Sequence, residues 1–293
     1  MLSFVHVGLH KTGTTWLQDL VFPSHPQLNV FTPNHGPSRE LIIRHFWASE
    51  DEYNRNEAES QFRSLILANQ KEDCIMGISD ELLTGPFYDD SLTQIIADRI
   101  LGVFGRTKII LTLRNPIRYI NSSYTLYIIR CPGRGLNLRD YVTIRKGFGS
   151  GFIRKLNYAN LLETYFARFG RENVCVLPYE LLVSSPREYL REIQLFLGIS
   201  EFPENPIISQ KSNQSLSVVA VELLRLLKAC RVNSIFLRRY LFALDRRGFK
   251  KVFSTPRLDY RSLCSCEPAF ESVLRSENYQ IWEGALSRFN YRF

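Results

Sequence analysis

The stretch Leu2-Ser3-Phe4-Val5-His6-Val7-Gly8-Leu9-His10-Lys11-Thr12-Gly13-Thr14-Thr15-Trp16 decides how this chain reads. It begins as a short apolar run of strand character and ends as a glycine-bounded turn that opens a helix. Glycine lets such a turn aim successive backbone N–H groups at one anion. The helix start adds about half a positive charge, and Lys11, Thr12, Thr14 and Thr15 add side-chain donors. The turn therefore reads as a phosphate cradle. In the nucleoside triphosphate loop, G-x-x-x-x-G-K-[ST], the lysine follows the second glycine and the next hydroxyl holds magnesium. Here Lys11 precedes Gly13, which points to a different phosphate ester.

Outward from this turn, Leu28–Phe31, Cys74–Ile78, Lys108–Leu113 and Val174–Leu177 join Leu2–Val7 as short, β-rich, near-continuous apolar runs. Parallel strands covered on both faces have this character. Between them, residues 15–22, 38–48, 57–70, 91–104, 116–128, 155–169, 186–197 and 216–230 carry apolar residues three or four apart, the helical period. The expected fold is α/β, a single domain over 1–293 with a central, mostly parallel sheet flanked by helices and a C-terminal helical part over 198–293. Ligands of such folds bind beyond the carboxyl ends of the strands. Residues 131–152, rich in glycine and arginine, read as an irregular excursion, either a substrate lid or a plain surface loop. Residues 199–215 read as a loop returning toward the sheet.

Composition narrows the class. The 293 residues are 45 % hydrophobic and 23 % charged, ordinary globular material. No run approaches the roughly 18 apolar residues of a membrane span. A strand-like segment from Leu2 leaves no room for a leader, so a cytoplasmic location is expected. The cysteines at 74, 131, 175, 230, 264 and 266 offer no metal-ligand spacing beyond one Cys-x-Cys pair. Free thiols and no metal are expected, with Cys264 and Cys266 either two small side chains or a redox or metal pair. The net charge of +8 favours polyanions such as nucleotides, acidic sugars or anionic membrane surfaces. Arg238, Arg239, Arg246, Arg247, Lys250 and Lys251 form the densest basic region, either a snorkelling helix face or a polyanion dock. No nucleic-acid partner is expected.

Two further constellations end strands. After Lys108–Leu113 comes Arg114-Asn115-Pro116, with Pro116 suited to a first helical turn. Ser122 follows about two turns along that helix. An arginine fork and a hydroxyl can share one phosphate; the alternative is an ordinary surface arginine and helix serine. After Cys74–Ile78 comes Ser79-Asp80-Glu81, two carboxylates able to abstract a proton or bind a metal. They could equally be an N-cap and a first-turn acid. His10, inside the first loop, is either a ligand or base or a variable side chain facing acceptor or solvent. His6 is expected in the core.

Taken together, these residues resemble the sulfotransferases that use 3′-phosphoadenosine 5′-phosphosulfate (PAPS). Lys11 through Leu17 reproduces that family's 5′-phosphosulfate loop, Lys-[Ser/Thr]-Gly-Thr-[Thr/Ser]-Trp-Leu. Arg114 and Ser122 match its 3′-phosphate motif. Phe169-Gly170-Arg171-Glu172-Asn173-Val174, Pro178-Tyr179-Glu180-Leu181-Leu182 and Phe196-Leu197-Gly198 look like its later landmarks, so the likeness spans about residues 4 to 198. It implies a P-loop-like sulfotransferase fold, PAPS as donor co-substrate, PAP (adenosine 3′,5′-bisphosphate) as product, and no metal. Lys11, Thr12, Gly13, Thr14 and Thr15 would hold the 5′-phosphate, Arg114 and Ser122 the 3′-phosphate, and Trp16 the adenine. The two anion sites should then lie a nucleoside apart. Tyr179, Lys211 and Asn213 are candidates to complete the donor site, because the Arg-Lys-Gly motif of cytosolic animal members is missing.

The resemblance also implies an in-line sulfuryl transfer with Lys11 stabilising the leaving group. Glu81 is the expected general base, with Asp80 its rival. An acidic base tilts the acceptor toward a carbohydrate or other alcohol hydroxyl. A P-loop kinase using ATP and magnesium, with Asp80 as metal ligand, is the alternative enzyme, and a nucleotide-binding protein without chemistry is the third reading.

Overall fold

Five parallel strands carry the molecule: β1 (Phe4–His6), β2 (Leu28–Phe31), β3 (Ile75–Ser79), β4 (Lys108–Leu113) and β5 (Val174–Pro178). Their order is β2-β3-β1-β4-β5, with Val5 opposite Ile78 on one side and Ile109 on the other. The chain leaves β1 toward one edge for β2 and β3, then crosses β1 to reach β4 and β5. Crevices form at such reversals of strand order, and the turn after β1 emerges there. The computed structural model describes residues 2–34, 36–87, 90–130, 136–138, 141, 156–203, 218–229, 280, 281 and 284. The expectations for residues 204–215, the basic region and most of 131–152 lie outside that set, as do Cys264 and Cys266.

Alternation along the strands builds two cores. Val5, Ile109 and Leu111 face a cluster with Phe62, Ile100, Tyr119 and Tyr165, whereas Phe4 and Ile110 face another with Leu17, Phe22, Leu181 and Ile193. Gly77 is required at the sheet centre, because a Cβ there would sit 2.4 Å from the ring of Phe4 on the neighbouring strand.

The helical stretch after the first turn is α-helical only over α1 (Thr14–Trp16), then π-helical to Val21 and 3-10 to Ser24. Similarly α2 (Ser38–Leu41) continues as a π-helical stretch to Phe46. Its end is held by Arg99, whose Nη1 donates to the carbonyls of Phe46 at 3.1 Å and Ala48 at 2.7 Å. The other helices are α3 (Arg55–Asn69), α4 (Thr93–Phe104), α5 (Pro116–Arg130), α6 (Tyr158–Phe169), α7 (Tyr179–Ser184), α8 (Pro186–Leu197) and α9 (Val218–Ala229). Helix α7 is unexpected, six residues packed between β5 and the Pro186 that opens α8. Helix α9 meets α5 where Tyr124 Oη donates to Glu222 at 3.3 Å. No helix among the described residues is long and apolar enough to cross a membrane.

Candidate functional site

At the carboxyl end of β1 the backbone is forced into a tight turn. Lys11 has φ 66° and Gly13 has φ 82°, both in the left-handed region. Gly13 is needed twice over, since a Cβ would also meet the Leu182 side chain at 2.7 Å and the Tyr179 ring at 3.2 Å. Helix α7 thus presses on the turn and holds its shape. The Thr12 hydroxyl is buried and donates to the Leu9 carbonyl, closing the loop from inside. Thr14 is buried and Thr15 exposed at the helix start, where backbone N–H groups have no partner within the helix.

Arg114, at the end of β4, reaches this same turn. Its Nη1 donates to the Lys11 carbonyl, its guanidinium lies 4.5 Å from the Tyr179 ring centroid, and its Nε is buried without a hydrogen-bond partner. Asn115 N–H donates to the buried Glu180 carboxylate at 3.1 Å, which fixes the strand end against α7. Burial pushes the Lys11 pKa below its ordinary value, and the charges of Arg114 and Arg130 push it further. Burial lowers the Arg114 pKa too, opposed by Tyr179 and Glu180. Among the described residues neither Lys11 nor Arg114 has a carboxylate partner within ion-pair distance. Half-buried cations held outside any ion pair favour an anion.

Beside it, at the end of β3, Asp80 caps a 3-10 turn over Glu81–Thr84 by accepting from Leu82 N–H at 2.9 Å. Its side chain is fully buried and paired through both oxygens with Arg39 of α2, at 2.8 Å each. Burial raises the Asp80 pKa, and the Arg39 hydrogen bond opposes that shift. The Glu81 side chain keeps 23 % exposure and accepts from Arg39 Nη2 at 3.1 Å.

A family model described as sulfotransferase family matches residues 4–204, more than two thirds of the chain. The chain belongs to the sulfotransferase family. No curated protein matches it by sequence. Among solved structures, a sulfotransferase from Alicyclobacillus acidocaldarius shares its fold at a TM-score of 0.50 and 22 % identity, covering 82 % of this chain and 99 % of that one. The mouse sulfotransferase SULT7A1, solved with PAP, gives a TM-score of 0.48 at 14 % identity over 99 % of this chain and 88 % of that one. With the family assigned, the kinase alternative falls away.

Within this sulfotransferase the structure brings Lys11, Gly13, Arg114 and Tyr179 together. The first two motifs touch instead of standing a nucleoside apart, because Arg114 is bonded to the loop. Ser122 lies half-buried on α5, while its neighbour Ser123 spends its hydroxyl on the Tyr119 carbonyl at 2.8 Å. Trp16 is 7 % exposed within the cluster of Leu17, Leu181 and Leu182, so its adenine role rests on the resemblance. Lys211 and Asn213 lie outside the described residues. His10 packs its ring 4.9 Å from Phe87. Gln18, Arg39 and Arg130 were not expected at the site. Gln18 falls just past the matched motif, and nothing local in the sequence marks the other two.

Proposed function

We propose that this sulfotransferase transfers the sulfuryl group of PAPS to a hydroxyl of a carbohydrate or other alcohol. The observation that carries this is the pair of half-buried cations, Lys11 on the left-handed turn and Arg114 bonded to that turn from the end of β4, with no carboxylate within ion-pair distance of either among the described residues. The residues suit a phosphosulfate: backbone donors and the Lys11 ammonium face one anion, and a side chain at Gly13 would break the cradle. The acceptor oxygen attacks sulfur in line, and the bond from sulfur to the bridging oxygen breaks. The electron pair leaves on the 5′-phosphate of PAP, where Lys11 neutralises it.

Glu81 takes the acceptor proton in this reading. Asp80 is a poor rival, because its side chain has no exposed surface, whereas Glu81 keeps 23 % exposure toward an incoming molecule. A 3′-phosphate role for Arg114 together with Ser122 rests on the resemblance, since Arg114 here is bonded to the Lys11 carbonyl. The resemblance to PAPS-dependent sulfotransferases implies that no metal is required. We also propose that the chain is one domain, given the contact of α9 with α5, and that it works in the cytoplasm, where a thiol such as that of Cys74 is not drawn into a disulfide.

Calorimetric titration with PAP and with AMP tests the donor site. PAP should bind at least tenfold more tightly, the gain of one charge-assisted contact of about 1.5–3 kcal/mol. Equal affinities would remove the 3′-phosphate role of Arg114 and Ser122. Lys11→Met should lower kcat by about 100-fold or more, and unchanged turnover would remove Lys11 from the chemistry.

A further inference from the structure

Both oxygens of the Glu81 carboxylate are held by side chains from outside the turn that carries it. Oε1 accepts from Arg39 Nη2 at 3.1 Å, and Oε2 accepts from Gln18 Nε2 at 3.4 Å. Arg39 comes from α2, and Gln18 from the helical stretch that begins at the phosphate-binding turn. We propose that Arg39 and Gln18 are the positioning residues of Glu81, clamping its carboxylate in one orientation before the acceptor arrives. This rests on Glu81 being the general base.

Each clamp is itself anchored. The Nε and Nη2 atoms of Arg39 form a two-pronged pair with Asp80, at 2.8 Å each, and the second hydrogen on Nη2 remains for Glu81. Asp80 thereby orients the arginine, which gives that buried carboxylate a purpose distinct from proton transfer. A lysine could not serve in the same way, because its ammonium lacks the fixed planar fork. Gln18 is buried, and the two hydrogens on its Nε2 are shared among Glu81, the Ser79 carbonyl at 3.2 Å and the Ser79 hydroxyl at 3.1 Å. That hydroxyl is in turn 2.7 Å from His6 Nδ1 inside the sheet. The clamp is thus continuous with β1 and β3, the two strands whose ends build the site. A base held from both oxygens has its orientation fixed before it meets the acceptor. Gln18 also lies on the element that starts at the phosphate-binding turn, so donor and base share one support.

PAP release from PAPS, with glycerol as the acceptor probe, tests the clamp in the full chain. Glu81→Gln should lower kcat by about 100–10,000-fold and leave a measurable residual rate. Arg39→Met and Gln18→Met should each lower kcat by about 10–100-fold while the KM for PAPS stays within about threefold, and Arg39→Lys should recover part of the loss. In the Glu81→Gln background neither methionine change should lower the residual rate further, because their effect passes through that carboxylate. Arg39→Met strips Asp80 of its counter-charge and lowers stability. Gln18→Met leaves that pair whole and tests the same clamp in an intact fold. Wild-type kcat in Gln18→Met and Arg39→Lys, with Glu81→Gln impaired, overturns the clamp and leaves the base reading standing. Equal losses with and without Glu81 overturn it as well, since both side chains would then act through the fold. A fully active Glu81→Gln removes the base reading, and the clamp with it.

Discussion

His6 shows how much one buried side chain can set. It ends β1 without exposed surface, and burial pushes its pKa down to about 3 from 6.5. Its Nδ1 lies 2.7 Å from the Ser79 hydroxyl, and burial keeps the imidazole neutral. The folded state refuses a proton that the unfolded chain accepts below about pH 6.5. Its contribution to stability is therefore complete above that value and is lost progressively as pH falls toward 3. Unfolding free energy, measured in urea from about pH 7.5 to about pH 4.5, should fall less steeply in His6→Asn than in the wild type. Parallel curves would mean that another group drives the acid response. The core placement of His6 was legible, since it interrupts an apolar run. Its link to Glu81 was not, because Ser79 and Gln18 reach it only across the sheet.

At the scale of elements, the contact of β1 with β3 leaves no room above Gly77, where the Phe4 ring lies. Gly77→Ala should cost about 1–3 kcal/mol by overpacking. Adding Phe4→Leu should return part of that cost, so the pair destabilises less than the sum of the single changes in denaturant titration. Strict additivity would show that the two side chains do not compete for space. All five strands were legible from apolar runs, two with the same bounds and the others within two residues, because burial on both faces demands such runs. The π-helical turns at Leu17–Val21 and Ile42–Phe46 were not legible. Apolar spacing of three and four fits them as well as an α-helix. Helix α7 was missed because six residues are too few to display a period, although it supplies both Tyr179 and Leu182 to the site.

At the scale of the whole molecule, the chain carries a net charge of +8 and its site has half-buried cations of its own. The distant charges act through solvent, over a screening length of about 10 Å at 0.1 M salt, and the buried contacts do not. Raising salt from about 50 to about 500 mM should therefore slow PAP association markedly and change its dissociation little, as read by stopped-flow binding. A salt effect confined to dissociation would place the recognition in exposed pairs. The amino-acid sequence by itself determined the α/β class, the lysine-led turn and the arginine at the end of β4, because strand burial, helical period and loop chemistry are written in neighbouring residues. Only the tertiary structure decided that Arg114 rests on Tyr179 and the Lys11 carbonyl, and that Arg39 joins Asp80 to Glu81. Those pairs stand between 41 and 103 residues apart. They meet because the sheet sets β2 beside β3 and β4 beside β1, an order that no local pattern encodes.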